Sequence, residues 1–194
     1  MAGTSDTHPR ASPLARSELS TADPSAARQY LTDAYGMRVR IGVASDSPRF
    51  QFAHTDAGAL AVGLLRMPAD LHFDADASGA LTIAHLEAGR VEQRYERGEE
   101  RFGPGDAFIA TQGDLPYSSH ALDAEVRTVT LGLPLLAEVA DAPHGSGQPG
   151  QPGPYFTSFT PATPALADSW NNTLAYVRDS ILVRGDVAAQ PLIV

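Results

Sequence analysis

The sequence GPGD at residues 103–106 constrains the fold of this chain more than any other stretch. Pro104 restricts φ and offers no backbone N–H to a strand ladder, Gly105 permits a positive φ, and the Asp106 side chain can accept a hydrogen bond from a nearby backbone N–H. An apolar strand candidate follows directly at residues 106–111. The pattern predicts a sharp corner between two β-strands.

Short strand candidates alternate with turn residues along the middle of the chain, at a spacing of about ten residues. This rhythm is typical of an all-β sandwich or jelly roll, and it predicts strands that line a closed barrel. The candidates are residues 38–44, 50–54, 60–67, 81–87, 90–95, 106–111 and 125–133.

Helices are predicted on both sides of this β region. Asp23 is a suitable N-cap, Pro24 stands at the first helical position, and Gly36 is a suitable C-terminal stop. A second helix is predicted to start at Thr163 and Pro164, because apolar residues then recur every three or four positions and share one helical face. These residues are Leu166, Trp170, Leu174, Val177 and Ile181.

The motif LEAGRVE at residues 86–92, followed by Gly98 and the GPGD corner, resembles a cupin barrel. More specifically, the chain from residue 25 to residue 194 resembles the N-terminal ligand-binding domain of AraC-type transcription regulators, because the leading helix and the Trp170 helix fit that branch. The resemblance implies a mainly β fold. It would be a cupin-like double-stranded β-helix, or jelly-roll barrel, with a short N-terminal helix and C-terminal helices.

The ligand set of the metal-binding cupins is missing from these motifs. Those proteins carry His-x-His and a Glu before the first turn and a further His after the second. Here Thr82 stands at the Glu position, no His-x-His precedes it, and Pro116 stands at the last His position. The resemblance therefore implies no metal, no other cofactor and no enzymatic activity. The alternative is a cupin isomerase or dioxygenase with an unorthodox metal site built from His72, His85 and His120.

Composition excludes several classes of function. The net charge is −9 and the isoelectric point is near 5.0, so the chain is not expected to bind nucleic acid by itself. The sequence contains no cysteine, which excludes disulfides, thiolate metal ligands and a cysteine nucleophile. It has no secretory h-region and no apolar run long enough to cross a membrane. A cytoplasmic protein that binds no membrane is predicted.

Four segments are predicted along the chain. Residues 1–22 are polar and rich in turn formers, and we expect a disordered tail there. Residues 23–142 form the sensor barrel with its leading helix, and residues 143–154 form a Gly/Pro-rich loop. Residues 155–194 hold a final strand at 155–159 and the C-terminal helical segment. The resemblance implies that a DNA-binding helix-turn-helix half is absent after this point.

A small-molecule pocket is predicted from polar side chains on apolar strands. Arg66 ends the strand at residues 60–67, and its planar guanidinium matches a ligand carboxylate, although an ordinary surface charge is the alternative. His85 and Tyr95 supply polar atoms to the pocket if their strand faces point into the barrel, and are otherwise ordinary packed side chains. The remaining candidates, around and beyond the corner, are Phe108, Tyr117 and His120.

The resemblance implies that the chain is the effector-sensing and dimerisation domain of an AraC-type regulator. A small molecule, an organic acid if Arg66 anchors it, would favour one arrangement of barrel and helices. The homodimer contact would use Trp170, Leu174, Val177 and Ile181, whereas packing of this helix on the barrel is the alternative. A further alternative function is a stand-alone module that pairs with a full-length regulator.

Overall fold

The computed structural model describes residues 14–42, 48–58, 60–75, 80–95, 98–112, 116–140 and 158–182. Strands dominate these ranges, and the prediction of a mainly β fold is confirmed. The strands are β1 (Ala15–Thr21), β2 (Arg38–Ile41), β3 (Phe50–Asp56), β4 (Leu60–Ala75), β5 (Ala80–Tyr95), β6 (Gly98–Phe102), β7 (Ala107–Gln112) and β8 (Tyr117–Gly132). The helices are α1 (Pro24–Tyr35), α2 (Leu133–Ala140) and α3 (Pro164–Tyr176), the last of which continues into a π-helical segment, Val177–Ile181.

The strands form one antiparallel sheet in the order β1-β3-β4-β8-β5-β6, with β2 added on β4 and β7 added on β5. β3 pairs with the first half of β4, and β2 pairs with the second half. In the same way, β7 pairs with the first half of β5 and β6 with the second. The 16-residue strands β4, β5 and β8 therefore run through both halves of the sheet, which is a jelly-roll arrangement.

The three long strands carry irregularities at the same level. β4 shifts register between Met67 and Asp70, and β5 shifts between Leu86 and Arg90. β8 contains Asp123 at a φ of 48°. Because bulges bend a strand and increase its twist, these positions fold the two halves of the sheet towards each other.

The corner at residues 103–106 is hydrogen-bonded to this bend. The Gly103 N–H donates to Asp106 Oδ2 at 2.7 Å, which closes the corner itself. The Gly105 N–H donates to the carbonyl oxygen of Leu86 at 2.8 Å, and the Leu86 N–H donates to that of Asp106 at 2.9 Å. With Gly105 at a φ of 96°, the predicted corner is confirmed, and it carries the chain from β6 in one half to β7 in the other.

Alternate strand residues point into one core between the two halves. On β4, Leu65, Met67, Ala69, Leu71 and Phe73 are buried, whereas Arg66 and the other residues between them are more exposed. This period of two is expected of a strand with one buried face. Other members of the same core are Ala27, Leu31, Phe50, Phe52, Ala84, Leu86, Val91, Phe102, Phe108, Ala121 and Val126.

Helix α1 begins and ends as its sequence predicts. Asp23 Oδ1 accepts a hydrogen bond from the Ser25 N–H at 2.8 Å. Gly36 adopts a φ of 65° and donates its N–H to the carbonyl oxygen of Thr32 at 2.9 Å. The helix packs Leu31 into the core.

The prediction of a disordered tail over residues 1–22 is wrong for residues 15–21. These residues form β1, which pairs along its whole length with β3. Leu19 stands opposite Phe52 and packs against the core. The sequence of β1 has a single large apolar residue, so its strand state depends on the hydrogen-bonding edge that β3 offers. Residues 1–13 lie outside the described residues.

Several predicted boundaries change in the structure. The strand candidates at 81–87 and 90–95 are one bent strand, and the candidate at 125–133 is the second half of β8. The Gly/Pro-rich loop at 143–154 lies outside the described residues, as does most of the candidate strand at 155–159. Phe159 accepts a hydrogen bond from the Ile109 N–H at 2.8 Å without belonging to a strand.

Helix α3 starts at the predicted position, where Thr163 Oγ1 accepts from the Leu166 N–H at 3.3 Å. None of the α3 residues is buried. Within the described part of the chain, no helix combines the length and the apolar character needed to cross a membrane.

The tight packing at the bend predicts that Gly89 cannot be replaced without loss of stability. Its φ is 82°, and a Cβ added there would lie 2.3 Å from the Asp123 carbonyl oxygen, a backbone atom that cannot move independently. We expect Gly89→Ala to lower the free energy of unfolding by about 2 kcal/mol or more in chemical denaturation. Gly98→Ala is the matched control, because nothing lies within 4 Å of its Cβ position. Equal losses in the two variants would contradict the role of Gly89.

Candidate functional site

A cavity of about 270 Å³ lies inside the folded sheet, beside the C-terminal end of α1. Its wall is mostly apolar, with polar groups at a few positions. The larger apolar residues of the wall are Met37, Leu65, Met67, Phe73, Val91, Phe108 and Val126. The polar wall residues discussed below are Tyr35, His54, Gln93, Tyr117 and Thr128.

Tyr35 places a hydroxyl group at the cavity wall. The hydroxyl oxygen lies 3.5 Å from Thr128 Oγ1, and the ring meets that of His54 edge-on with centroids 5.4 Å apart. A Cβ added to Gly63 would lie 2.1 Å from the same hydroxyl, so the glycine provides the space that Tyr35 occupies. Burial raises the pKa of Tyr35 to about 12, which keeps the phenol neutral.

Gln93, on β5, places an amide group at the cavity wall. Its side chain is 1% exposed, and Nε2 donates to the carbonyl oxygen of Ala110 at 2.6 Å. Tyr117 donates its hydroxyl to Met37 Sδ at 3.4 Å, and burial raises the pKa of Tyr117 to about 12. Both groups are thus held in place before any ligand arrives.

The electrostatics of the wall favour neutral ligands. Among the described residues that line the cavity, none is Arg, Lys, Asp or Glu. An unpaired ion in such surroundings loses its hydration without compensation. The cavity therefore suits a small molecule that is largely apolar and has a few hydrogen-bonding groups.

Two predicted pocket residues lie at the cavity. Phe108 and Tyr117 both belong to its wall. Phe108 is held by stacking on Phe102, with ring centroids 3.9 Å apart and planes within 5°. Tyr95 lies at the end of β5, opposite Gly98, and its side chain lies outside the described part of the structure.

The prediction that Arg66 anchors a ligand in the pocket is wrong. Arg66 alternates with the buried residues Leu65 and Met67 and therefore points away from the core. Its Nε lies 2.7 Å from Glu125 Oε1 and its side chain is 48% exposed. The guanidinium also donates to Gln51 Oε1 at 3.0 Å, so the ordinary surface charge is the correct alternative.

His85 and His120 also lie outside the cavity. His85 stands between the buried residues Ala84 and Leu86, which places it on the outer face of β5. His120 Nε2 lies 2.8 Å from Asp70 Oδ1, again on the outer face. The sequence did not determine which strand faces point into the barrel. In the structure, both histidines lie on the outer face.

Of the three histidines in the alternative metal site, the structure brings only two together. The rings of His72 and His120 stack with centroids 4.4 Å apart and planes within 7°. His85 stands opposite Ala107 and Arg127 in the sheet, and it does not belong to this pair.

Sequence reasoning missed Tyr35, His54, Gln93 and Thr128 as cavity residues. One usable signal is Gly63, because an isolated glycine within an apolar strand marks close approach of another group. The group that approaches is Tyr35, the last residue of α1, which no local pattern links to β4.

The predicted dimerisation residues lie on a partly covered face. Trp170, Leu174 and Val177 are half-buried, and the side chain of Ile181 lies outside the described structure. The Trp170 indole N–H is enclosed but has no hydrogen-bond partner among the described residues. Leu166, one turn earlier on the same face, is 56% exposed.

No protein-family profile and no curated protein matches this chain. Its structure is similar to the crystal structure of the AraC-like transcriptional activator CuxR, with a TM-score of 0.60 and 18% identity, over 89% of this chain and 66% of that one. The chain shares the fold of the part of CuxR that it matches. The match covers 66% of CuxR, so the chain spans just under two thirds of that protein's length.

Two cupins show a weaker likeness. They are the Schizosaccharomyces pombe Cnp3 cupin domain, with a TM-score of 0.34 and 15% identity over 53% of this chain and 69% of that one, and an RmlC-like cupin from Shewanella frigidimarina, with a TM-score of 0.36 and 8% identity over 47% and 83%. The likeness to CuxR confirms the predicted resemblance to AraC-type regulators at the level of the fold, and the strand order confirms the jelly roll.

The close approach of Tyr35 to Gly63 makes a second prediction. We expect Gly63→Ala to lower the free energy of unfolding by about 1–3 kcal/mol, because the added methyl group overlaps the Tyr35 hydroxyl. In a Tyr35→Phe background the same change should be milder, giving a coupling of about 0.5 kcal/mol or more in a double-mutant cycle.

Tyr30→Phe is the control background for this cycle, because the Tyr30 hydroxyl contacts Ser17 instead. Coupling to Tyr30 as large as that to Tyr35 would show that the effect does not arise at the cavity wall.

Proposed function

We propose that this chain is the effector-sensing domain of an AraC-type transcription regulator. In this proposal the cavity binds a small, neutral and largely apolar molecule, and the chain acts as a sensor and not as an enzyme. The observation that carries the proposal is the apolar cavity of about 270 Å³, with preplaced hydrogen-bonding groups, in a fold similar to that of CuxR.

The proposed ligand is neutral, whereas the sequence predicted an organic acid held by Arg66. Arg66 is paired with Glu125 outside the cavity, so it offers nothing to a carboxylate inside. Tyr35, Gln93 and Thr128 present neutral donors and acceptors. A ligand with one or two hydroxyl, carbonyl or amide groups matches this set.

A chain of contacts supports coupling between the cavity and the C-terminal helices. Tyr35 lies at the cavity wall, and Tyr30 on the same helix stacks on Phe52 and hydrogen-bonds to Ser17 of β1. The neighbouring Arg16 donates to the Leu182 carbonyl oxygen at 2.7 Å, just after the π-helical segment. A ligand that stabilises docked α1 would favour one placement of the C-terminal helices by population shift.

The proposal includes a homodimer formed through α3. Its support is the α3 face itself, on which Leu166 is exposed and Trp170 is only partly covered. A two-fold contact between identical helices would cover the same residues on both copies. The face consists of Leu166, Trp170, Leu174, Val177 and Ile181.

Ligand binding is tested by thermal denaturation with a library of small neutral molecules and their carboxylic-acid analogues. A molecule that binds the folded state raises the melting temperature, and we expect neutral compounds to give the larger shifts. Ala121→Leu should abolish the shift, because Ala121 lines the cavity and the added atoms fill part of it. Arg66→Ala is the control and should respond as the wild type does.

Two results would contradict this assignment. One is a preference for acids that disappears in Arg66→Ala. The other is a ligand response that survives unchanged in Ala121→Leu.

Dimerisation is tested by analytical ultracentrifugation of the wild type and of Leu174→Asp. We expect the wild type to dimerise and the variant to dissociate, because a carboxylate in an apolar contact is desolvated without a partner. Asn172→Asp adds the same charge at an exposed α3 position off this face and should leave the dimer intact. A monomeric wild type, or equal dissociation of both variants, would exclude the α3 contact.

A further inference from the structure

We propose that the outer face of the sheet carries a transition-metal site whose ligands are Asp70, His72 and His120. The site lies on the face opposite the ligand cavity and goes beyond the sensor function proposed above. Glu92 and Arg101 support it from the neighbouring strands.

Strand register brings these residues together. His72 of β4 stands opposite His120 of β8, and His120 stands opposite Glu92 of β5. Asp70 lies two positions before His72 and therefore on the same face of β4. Side chains opposite each other on one face of a sheet lie within contact distance. The two histidines are 48 residues apart along the chain, so the sheet alone makes them neighbours.

The donor atoms already converge. Asp70 Oδ1 lies 2.8 Å from His120 Nε2 and 3.3 Å from His72 Nε2. One ligand atom from each of the three residues lies within 4.8 Å of the others. Tetrahedral ligands about 2.0–2.1 Å from a zinc ion are separated by about 3.3 Å. Rotation of the two stacked imidazoles out of their parallel planes would bring all three donors onto one ion.

Glu92 lies near the second ring nitrogen of His120, where a carboxylate can orient a metal-binding histidine. A histidine that binds a metal through one ring nitrogen usually donates its other N–H to a carboxylate or carbonyl group. Here Glu92 Oε2 lies 4.0 Å from His120 Nδ1, on the side of the ring away from Asp70. Arg101 Nε lies 3.2 Å from Glu92 Oε1 and holds that carboxylate in position. Glu92 would act as a positioning residue once this 4.0 Å separation closes to hydrogen-bonding distance.

The ligand set indicates the class of metal. Two imidazoles and one carboxylate suit Zn²⁺, Ni²⁺, Cu²⁺ or Fe²⁺, whereas Mg²⁺ and Ca²⁺ prefer oxygen ligands throughout. His72 is 51% exposed, so an ion has access from solvent. A groove of about 220 Å³, lined in part by His72, His120 and Ser118, lies beside the cluster and has room for water to complete the coordination.

Without a metal, Asp70 can accept one N–H from each imidazole, and that arrangement is the competing explanation of the cluster. The two explanations differ in metal uptake. We therefore test the complete chain by equilibrium dialysis against Zn²⁺ followed by elemental analysis, with Co²⁺ as a spectroscopic probe and excess Mg²⁺ as competitor.

We expect one Zn²⁺ or Co²⁺ per chain, retained in excess Mg²⁺. His72→Gln, His120→Gln and Asp70→Asn should each weaken binding by about tenfold or more, and each should change the visible Co²⁺ spectrum. Glu92→Gln should weaken affinity by about tenfold while keeping one ion per chain, as expected of a supporting residue.

His85→Gln is the matched control, because it removes one outer-face imidazole away from the cluster. It should leave both affinity and spectrum unchanged, and circular dichroism confirms that each variant is folded. The proposal is overturned if the wild type takes up no Zn²⁺ at micromolar concentration. It is also overturned if folded His72→Gln and His120→Gln retain wild-type affinity, or if His85→Gln loses as much affinity as they do.

Discussion

The bend across β4, β5 and β8 is the constraint on which the rest of the structure depends. At this level Gly89 packs against the Asp123 carbonyl, and Leu86 exchanges hydrogen bonds with the corner at residues 103–106. The bend folds one sheet over a single core. A flat sheet of these strands would have neither this core nor the cavity beside it.

The folded sheet separates two kinds of chemistry on its two faces. The inner face holds a neutral, mostly apolar cavity with Tyr35 and Gln93 fixed at its wall. The outer face carries a row of ionisable groups that runs from Asp70 across His120 to Glu92. Because successive strand side chains point to opposite faces, the ionisable groups of the outer face stay apart from the apolar cavity on the inner face.

Local rules predicted the parts of the fold that depend on a few neighbouring residues. The corner at 103–106, the Asp23 cap and the Thr163 cap follow from the backbone preferences of Pro, Gly, Asp and Thr, and all three are present. Predictions about the faces of strands were less successful. The place of Arg66 at the end of an apolar strand predicts a pocket residue, yet Gly63 and Leu65 occupy the inner positions of that strand.

The sequence by itself determined the mainly β class, the turn at residues 103–106 and the limits of α1. The spacing of strands and turns indicates the class. The turn and the helix limits depend on φ preferences and hydrogen bonds within a few residues. Only the tertiary structure decided that residues 15–21 form a strand and that His72 faces His120. The same is true of the contact between Tyr35 and Gly63. These arrangements depend on register and on which edge is open, and a shift of one residue would turn every side chain of a strand to the other face.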